Sequence, residues 1–125
     1  MTIHKSPYHQ ISMLLLILVL LAPSAVFAAM QEEIDHLLNY IKTSDCEFIR
    51  NNKSYAPDKA VKHIEKKYDY LKKRIKSTED FIKGAATESS MSGKPYMIIC
   101  AGKEMATADW LRVELQRYRT LQQEK

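Results

Sequence analysis

CEFIRNNKSY, residues 46–55, decides the fold. Phe48 and Ile49 lie on one side of the pair Asn51-Asn52 and Tyr55 on the other, and asparagine tolerates the positive φ that a tight hairpin turn requires. The stretch predicts two short strands. Cys46 opens this hairpin, and Cys100 closes YMIIC at 96–100, the most strand-like run in the chain. A bond between the two cysteines would join neighbouring parts of one small sheet. The expected class is α+β: a small antiparallel sheet of short strands packed with about four helices and held by one disulfide.

Helical patterns flank this core. Ile34, Leu37, Leu38 and Ile41 recur at i, i+3, i+4, i+7 and predict an amphipathic helix over 31–43. Glu32, Glu33 and Asp35 suit its N-terminal dipole and Lys42 its C-terminal end. Pro57 and Asp58 mark the start of a second helix near Ala56. Its apolar stripe is Val61, Ile64, Tyr68, Leu71 and Ile75, some five turns long, and its opposite face carries Lys62, Lys66, Lys67, Lys73 and Lys76 among Glu65 and Asp69. Ser77 or Thr78 can cap a short helix, TEDFIKGAA, with Phe81 and Ile82 inward and Gly84 as its stop. TESSMSGKPY reads as a loop, 101–103 as a turn, and Glu104 and Met105 as a brief strand. Thr107 is the expected cap of a last helix over 108–119, with Trp110 or Leu111, Leu115 and Tyr118 buried and the final LQQEK frayed.

The N-terminus reads as an address. Lys5 precedes an apolar run at 13–22, too short to span the hydrocarbon core but of the length of a secretory h-region. Pro23 and Ser24 are expected to break that helix. Val26 and Ala28 then supply the small-residue pattern of a cleavage site after Ala28, whereas cleavage after Ala29 would place bulky Phe27 three positions upstream. No cysteine lies nearby to carry a lipid. The expected organisation is a signal peptide at 1–28, a single small α+β domain at 29–125, and a periplasmic or secreted location with no stable membrane span after cleavage. Removing Lys5 from nineteen basic residues leaves eighteen against fifteen acidic ones, a net charge of +3 on 97 residues (125 minus 28). So small a chain has a marginal core.

An oxidising compartment predicts a disulfide between Cys46 and Cys100. It closes a loop of about 54 residues and is worth about 4 kcal/mol in the chain-entropy model. Recognisable catalytic patterns are missing: the sequence has no HExxH, CxxC, GxSxG or GxxxxGK. His36 and His63 read as solvated surface positions, and the carboxylate pairs Glu32/Glu33 and Glu79/Asp80 as first-turn acids. Neither a metal nor another cofactor is expected, and catalysis is not.

Two binding candidates remain. Lys66, Lys67, Lys73 and Lys76 form a basic face with Tyr68 and Tyr70 interleaved, although Glu65 and Asp69 dilute the field and an exported protein does not meet nucleic acid. The loop with Ser92, Gly93, Lys94, Pro95 and Tyr96 resembles the SGxxY signature of bacterial inhibitors of C-type lysozymes, in which a short loop enters the enzyme's cleft. That resemblance covers five residues, and the small β-barrel and second motif of those inhibitors have no counterpart here.

EIDHLLNYI, SDCEFIRNNKSY, KKRIKSTEDFI, SGKPYMIIC and ADWLRVELQRYR together resemble the YfeK-like family of small exported bacterial proteins, over nearly the whole of 29–125. The resemblance implies an envelope location and a single bridge, and it transfers no catalytic residue. The expected function is non-enzymatic binding of an envelope protein or polymer, with the Ser92, Gly93, Lys94, Tyr96 loop beside the basic helix as the contact region. The alternative is inhibition of a lytic enzyme such as lysozyme through the same loop.

Overall fold

The hairpin at 47–55 is present: β1 (Glu47–Arg50) and β2 (Lys53–Tyr55) pair antiparallel around Asn51 and Asn52, whose φ values are 50° and 64°. Two positive-φ residues between two strands are the turn whose twist matches that of the strands. A second hairpin repeats the solution, with β3 (Met97–Cys100) and β4 (Lys103–Ala106) joined through Ala101 and Gly102 at φ 49° and 78°. The two hairpins meet through β1 and β3, so the antiparallel sheet runs β2-β1-β3-β4. This is a computed structural model that describes the backbone of residues 8–125 and the side chains of residues 24–125. Lys5 and the side chains of the apolar run at 13–22 lie outside the described residues.

Register explains the disulfide. Glu47 stands opposite Ile99 and Phe48 opposite Ile98. One step outward brings Cys46 opposite Cys100, and their sulfurs are bonded with the Cα atoms 4.6 Å apart. Strand alternation then places Cys46, Phe48 and Arg50 on one face of β1, and Tyr96, Ile98 and Cys100 on the matching face of β3. Helices cover that face.

Those helices are α1 (Tyr8–Thr43), α2 (Pro57–Leu71), α3 (Thr78–Ala85) and α4 (Thr107–Gln123). Helix α1 starts earlier than expected and its backbone is helical through positions 23 and 24, where Pro23 and Ser24 predict a break. Residues 24–29 are exposed, and Met30 is the first buried side chain along the described chain. From there Ile34, Leu37 and Ile41 are fully buried against α2, α3 and α4. Helix α2 opens on Pro57, as predicted, but ends at Leu71; a 3-10 turn (Lys72–Arg74) follows, so Ile75 joins the core from extended backbone rather than from a fifth helical turn.

Ser77 caps α3: its hydroxyl accepts from the Asp80 N–H at 3.0 Å. Gly84 does not stop this helix but lies inside it, and a Cβ there would sit 3.1 Å from Leu71 Cδ1. The glycine serves the close approach of α3 to α2. Thr107 is likewise not a cap. It is the first residue of α4, after an Ala106 that offers no side chain to the helix end, and the helix continues to Gln123 where fraying is predicted.

Candidate functional site: a cationic cleft beside the hairpin

Arg50 is the last residue of β1, two positions past core Phe48, so alternation turns it inward beneath α2. His63 descends from α2 to meet it. Together with Tyr55, Tyr96, Thr107 and the apolar side chains of Phe48 and Ile64, they line a cleft of about 280 Å³. The expectation of a solvated His63 is therefore corrected: the ring is half-buried, with Arg50 Nη1 2.5 Å from Nδ1 and 2.9 Å from Nε2, and the Tyr96 hydroxyl 2.9 Å from Nε2. A guanidinium only donates. The consistent assignment has Nδ1 accepting from Arg50 and the Nε2–H donating to Tyr96.

The surroundings favour the neutral form of this histidine. Burial, then the cations of Arg50, Lys67 and Lys66, push its pKa below the ordinary value. Lys67 Nζ donates to the Glu88 carbonyl at 2.7 Å and to Tyr96 Oη at 3.3 Å, and burial lowers its pKa as well. Aromatic faces hold the charges: Arg50 lies over Tyr55 at 5.2 Å from the ring centre and Lys67 over Tyr96 at 5.1 Å. Lys59 and Lys62 complete the lining, and no carboxylate lies among the lining residues. Two buried side-chain polar atoms among the described residues have no hydrogen-bond partner, Arg50 Nε and Thr107 Oγ1, and both residues line this cleft. Such orphans cost about 1–3 kcal/mol each.

The structure divides both sequence candidates. Of the basic face, Lys66, Lys73 and Lys76 stand exposed, and only Lys67 turns toward the cleft. Of the loop, Ser92, Gly93 and Lys94 are exposed at the tip, where Gly93 has φ 70° and Ser92 Oγ donates to Asn51 Oδ1 at 2.5 Å. Tyr96 is buried, 6% exposed, and belongs to the cleft instead.

Between α1 and α4, the expectation of a solvated His36 is also corrected. His36 is half-buried, stacks on Tyr118 with ring centres 4.1 Å apart, and places Nε2 2.8 Å from the carboxylate of buried Glu114. Arg117 donates to the same carboxylate, and these contacts hold Glu114 below the usual carboxylate range. Glu33 lies in mid-helix rather than in a first turn. Arg119 grips it with two hydrogen bonds of 2.6 and 3.0 Å and reaches Glu79 at 2.6 Å, while the buried Thr78 hydroxyl donates to Glu33 at 2.6 Å. The grip lowers the pKa of both carboxylates and raises that of Arg119. Glu79 and Asp80 do occupy the first turn of α3.

Arg50 and Thr107 were missed because neither residue sits in a recognisable motif. The signal was present all the same: once Cys46 faces Cys100, the count along two antiparallel strands sets Arg50 opposite Tyr96. Among the described residues no group of three or more His, Cys, Asp or Glu side chains is placed to hold a metal ion, and no helix is long and apolar enough to cross a membrane.

A family model described as a family of unknown function (DUF5329) matches residues 28–119. The chain is similar to the protein called "Uncharacterized protein YfeK" of Salmonella typhimurium, with 35% identity over 82 residues, which cover 65% of this chain and 68% of YfeK. No solved structure matches. The stapled four-stranded sheet, its helical cover and the basic cleft between them are thus features of a chain that belongs to the YfeK-like DUF5329 family.

Proposed function

We propose that the protein is exported to the periplasm, loses residues 1–28, and acts there as a non-enzymatic binding protein of the cell envelope whose ligand site is the cleft at Arg50, His63 and Tyr96. One observation carries the binding reading. Half-buried Arg50, with exposed Lys59 and Lys62 at the rim, lines a cleft with no acidic partner in its lining, and like charges are brought together at a cost. Export is supported by the h-region and small-residue pattern, by the exposure of 24–29 ahead of Met30, by a family match that begins at residue 28, and by a disulfide.

A non-enzymatic role is supported by the composition of the site. His63 faces Arg50 and the Tyr96 hydroxyl, without the nucleophile and carboxylate that a hydrolytic triad sets beside it. Expression of the full chain in a Gram-negative host tests the first half. Osmotic shock is expected to release a 97-residue oxidised chain beginning at Ala29, and retention of the full-length chain in the membrane or cytoplasm rejects export. A fragment-type binding screen followed by NMR tests the second half, with signals of Arg50, His63 and Tyr96 expected to move and a screen that leaves all three in place rejecting the site.

The second reading, inhibition of a lytic enzyme such as lysozyme through the loop at 92–96, is favoured by the exposed tip, which Asn51 and the Ser89–Lys94 backbone bond hold in shape. It stands behind the cleft because Tyr96 is turned inward. Undiminished lysozyme activity at high micromolar protein removes it.

A further inference from the structure

We propose that the cleft takes a small amphiphilic anion, with a carboxylate or phosphate head at Arg50 and Thr107 and a short alkyl or aryl body against Phe48 and Ile64. The inference rests on the cleft being the ligand site and adds the chemistry of what enters it.

Charge comes first. Arg50, Lys59 and Lys62 are the cations of the lining, and none of the lining residues is an acid. A cation or a neutral sugar would leave that field uncompensated, whereas an oxyanion neutralises it in a setting where burial strengthens the attraction. The apolar wall comes second: Phe48 and Ile64 face the same space. A free inorganic anion leaves these surfaces unmatched, and an attached hydrocarbon or ring covers them.

Size and hydrogen bonding narrow the choice further. About 280 Å³ lies just below the roughly 300–1,000 Å³ of sites for drug-sized ligands, so the body is short. Arg50 Nε and Thr107 Oγ1 have no partner within the protein and are closed to water. Both can donate to an oxygen. A turn of the guanidinium and of the Thr107 side chain brings both atoms to the cleft surface, where a head group seated between the two residues supplies the acceptors they lack. The planar guanidinium fork suits carboxylate and phosphate alike.

The test uses oxidised protein purified from a host expressing the full chain, titrated with sodium octanoate and with hexyl phosphate. Acetate and inorganic phosphate serve as heads alone, and octanamide as the body alone. Octanoate or hexyl phosphate is expected to shift the NMR signals of Arg50, His63 and Thr107 and to bind at least about tenfold more tightly than any of the three controls. The tighter of the two assigns the head as carboxylate or phosphate. Arg50→Ala is expected to weaken binding at least about tenfold. Lys59→Ala, at an exposed position, is expected to weaken it a few-fold at low salt and less at high salt. Equal binding of octanamide and octanoate overturns the anion and leaves the cleft as a ligand site. Unmoved cleft signals with every probe overturn both.

Discussion

The molecule holds two arginine–histidine neighbourhoods that share residue types and differ in partners. At the helical end, Arg119 is clamped by Glu33 and Glu79, and His36 and Arg117 share buried Glu114. At the sheet end, Arg50 meets His63, an aromatic ring and no carboxylate, with Lys67 close by. The first arrangement is self-contained: Arg117 answers Glu114 within α4, while His36–Glu114, Arg119–Glu33 and Arg119–Glu79 cross between helices and tie α1, α3 and α4 together. The second has no such clamp: no carboxylate pairs with Arg50, and the Glu88 carboxylate acts on Lys67 and Tyr96 without an ion pair. Partly buried charge that the protein itself leaves unbalanced contributes little to stability and is available to a ligand.

The largest effect expected is removal of the staple beside that sheet end. Reduction of Cys46–Cys100, or replacement of both by Ala, is expected to lower the unfolding free energy by about 4 kcal/mol in urea titrations. An unchanged midpoint in a chain proven reduced would make the bond ornamental. Next comes the direct contrast of arginines. Arg119→Ala breaks two bonds to Glu33 and one to Glu79 and is expected to cost about 2 kcal/mol. Arg50→Ala is expected to stay within about 1 kcal/mol of the parent, because it also removes a buried unpaired donor and eases repulsion at Lys67. Equal costs would erase the distinction between the two ends.

Acid sharpens the contrast with smaller effects. His63 has a folded pKa below the unfolded value of about 6.5, so the unfolded chain binds more protons and stability falls as pH drops through 6.5 towards the folded pKa. Glu33, Glu79 and Glu114 also have lowered pKa values, and their contribution is present above about pH 4.5 and lost as pH falls through the folded values. His63→Gln is expected to flatten the upper window and leave the lower one. A slope that persists above pH 5 in this variant would place its origin elsewhere. The smallest effect belongs to the loop tip: Ser92→Ala with Lys94→Ala is expected to leave the urea midpoint within about 0.5 kcal/mol and the cleft signals in place. A larger change would tie the tip to the cleft.

Much of this fold was legible because its signals are local. Asn51-Asn52, the YMIIC run, Pro57 and Ser77 each impose a backbone choice on a few neighbours, and the structure follows them. Residues whose role depends on a distant partner were harder to read. Gly84 resembles a helix stop until Leu71 arrives beside it, Thr107 resembles a cap until it proves to be buried, and His36 looks solvated until α4 brings Glu114 across. Lys67 and Tyr96 belonged to separate candidates at 66–76 and 92–96, and tertiary packing joined them into a third. The cleft could have been approached from sequence through the cysteine register alone, which sets Arg50 opposite Tyr96 but says nothing of His63 above them.

The most direct test of the central claim is a paired measurement of octanoate affinity and urea midpoint on the Arg50→Ala and Arg119→Ala proteins. Loss of affinity with a near-parental midpoint for Arg50→Ala, and the reverse for Arg119→Ala, is the predicted result. Parallel losses of both quantities in both variants would contradict the account, because the two ends would then be one structural network with no reserved site.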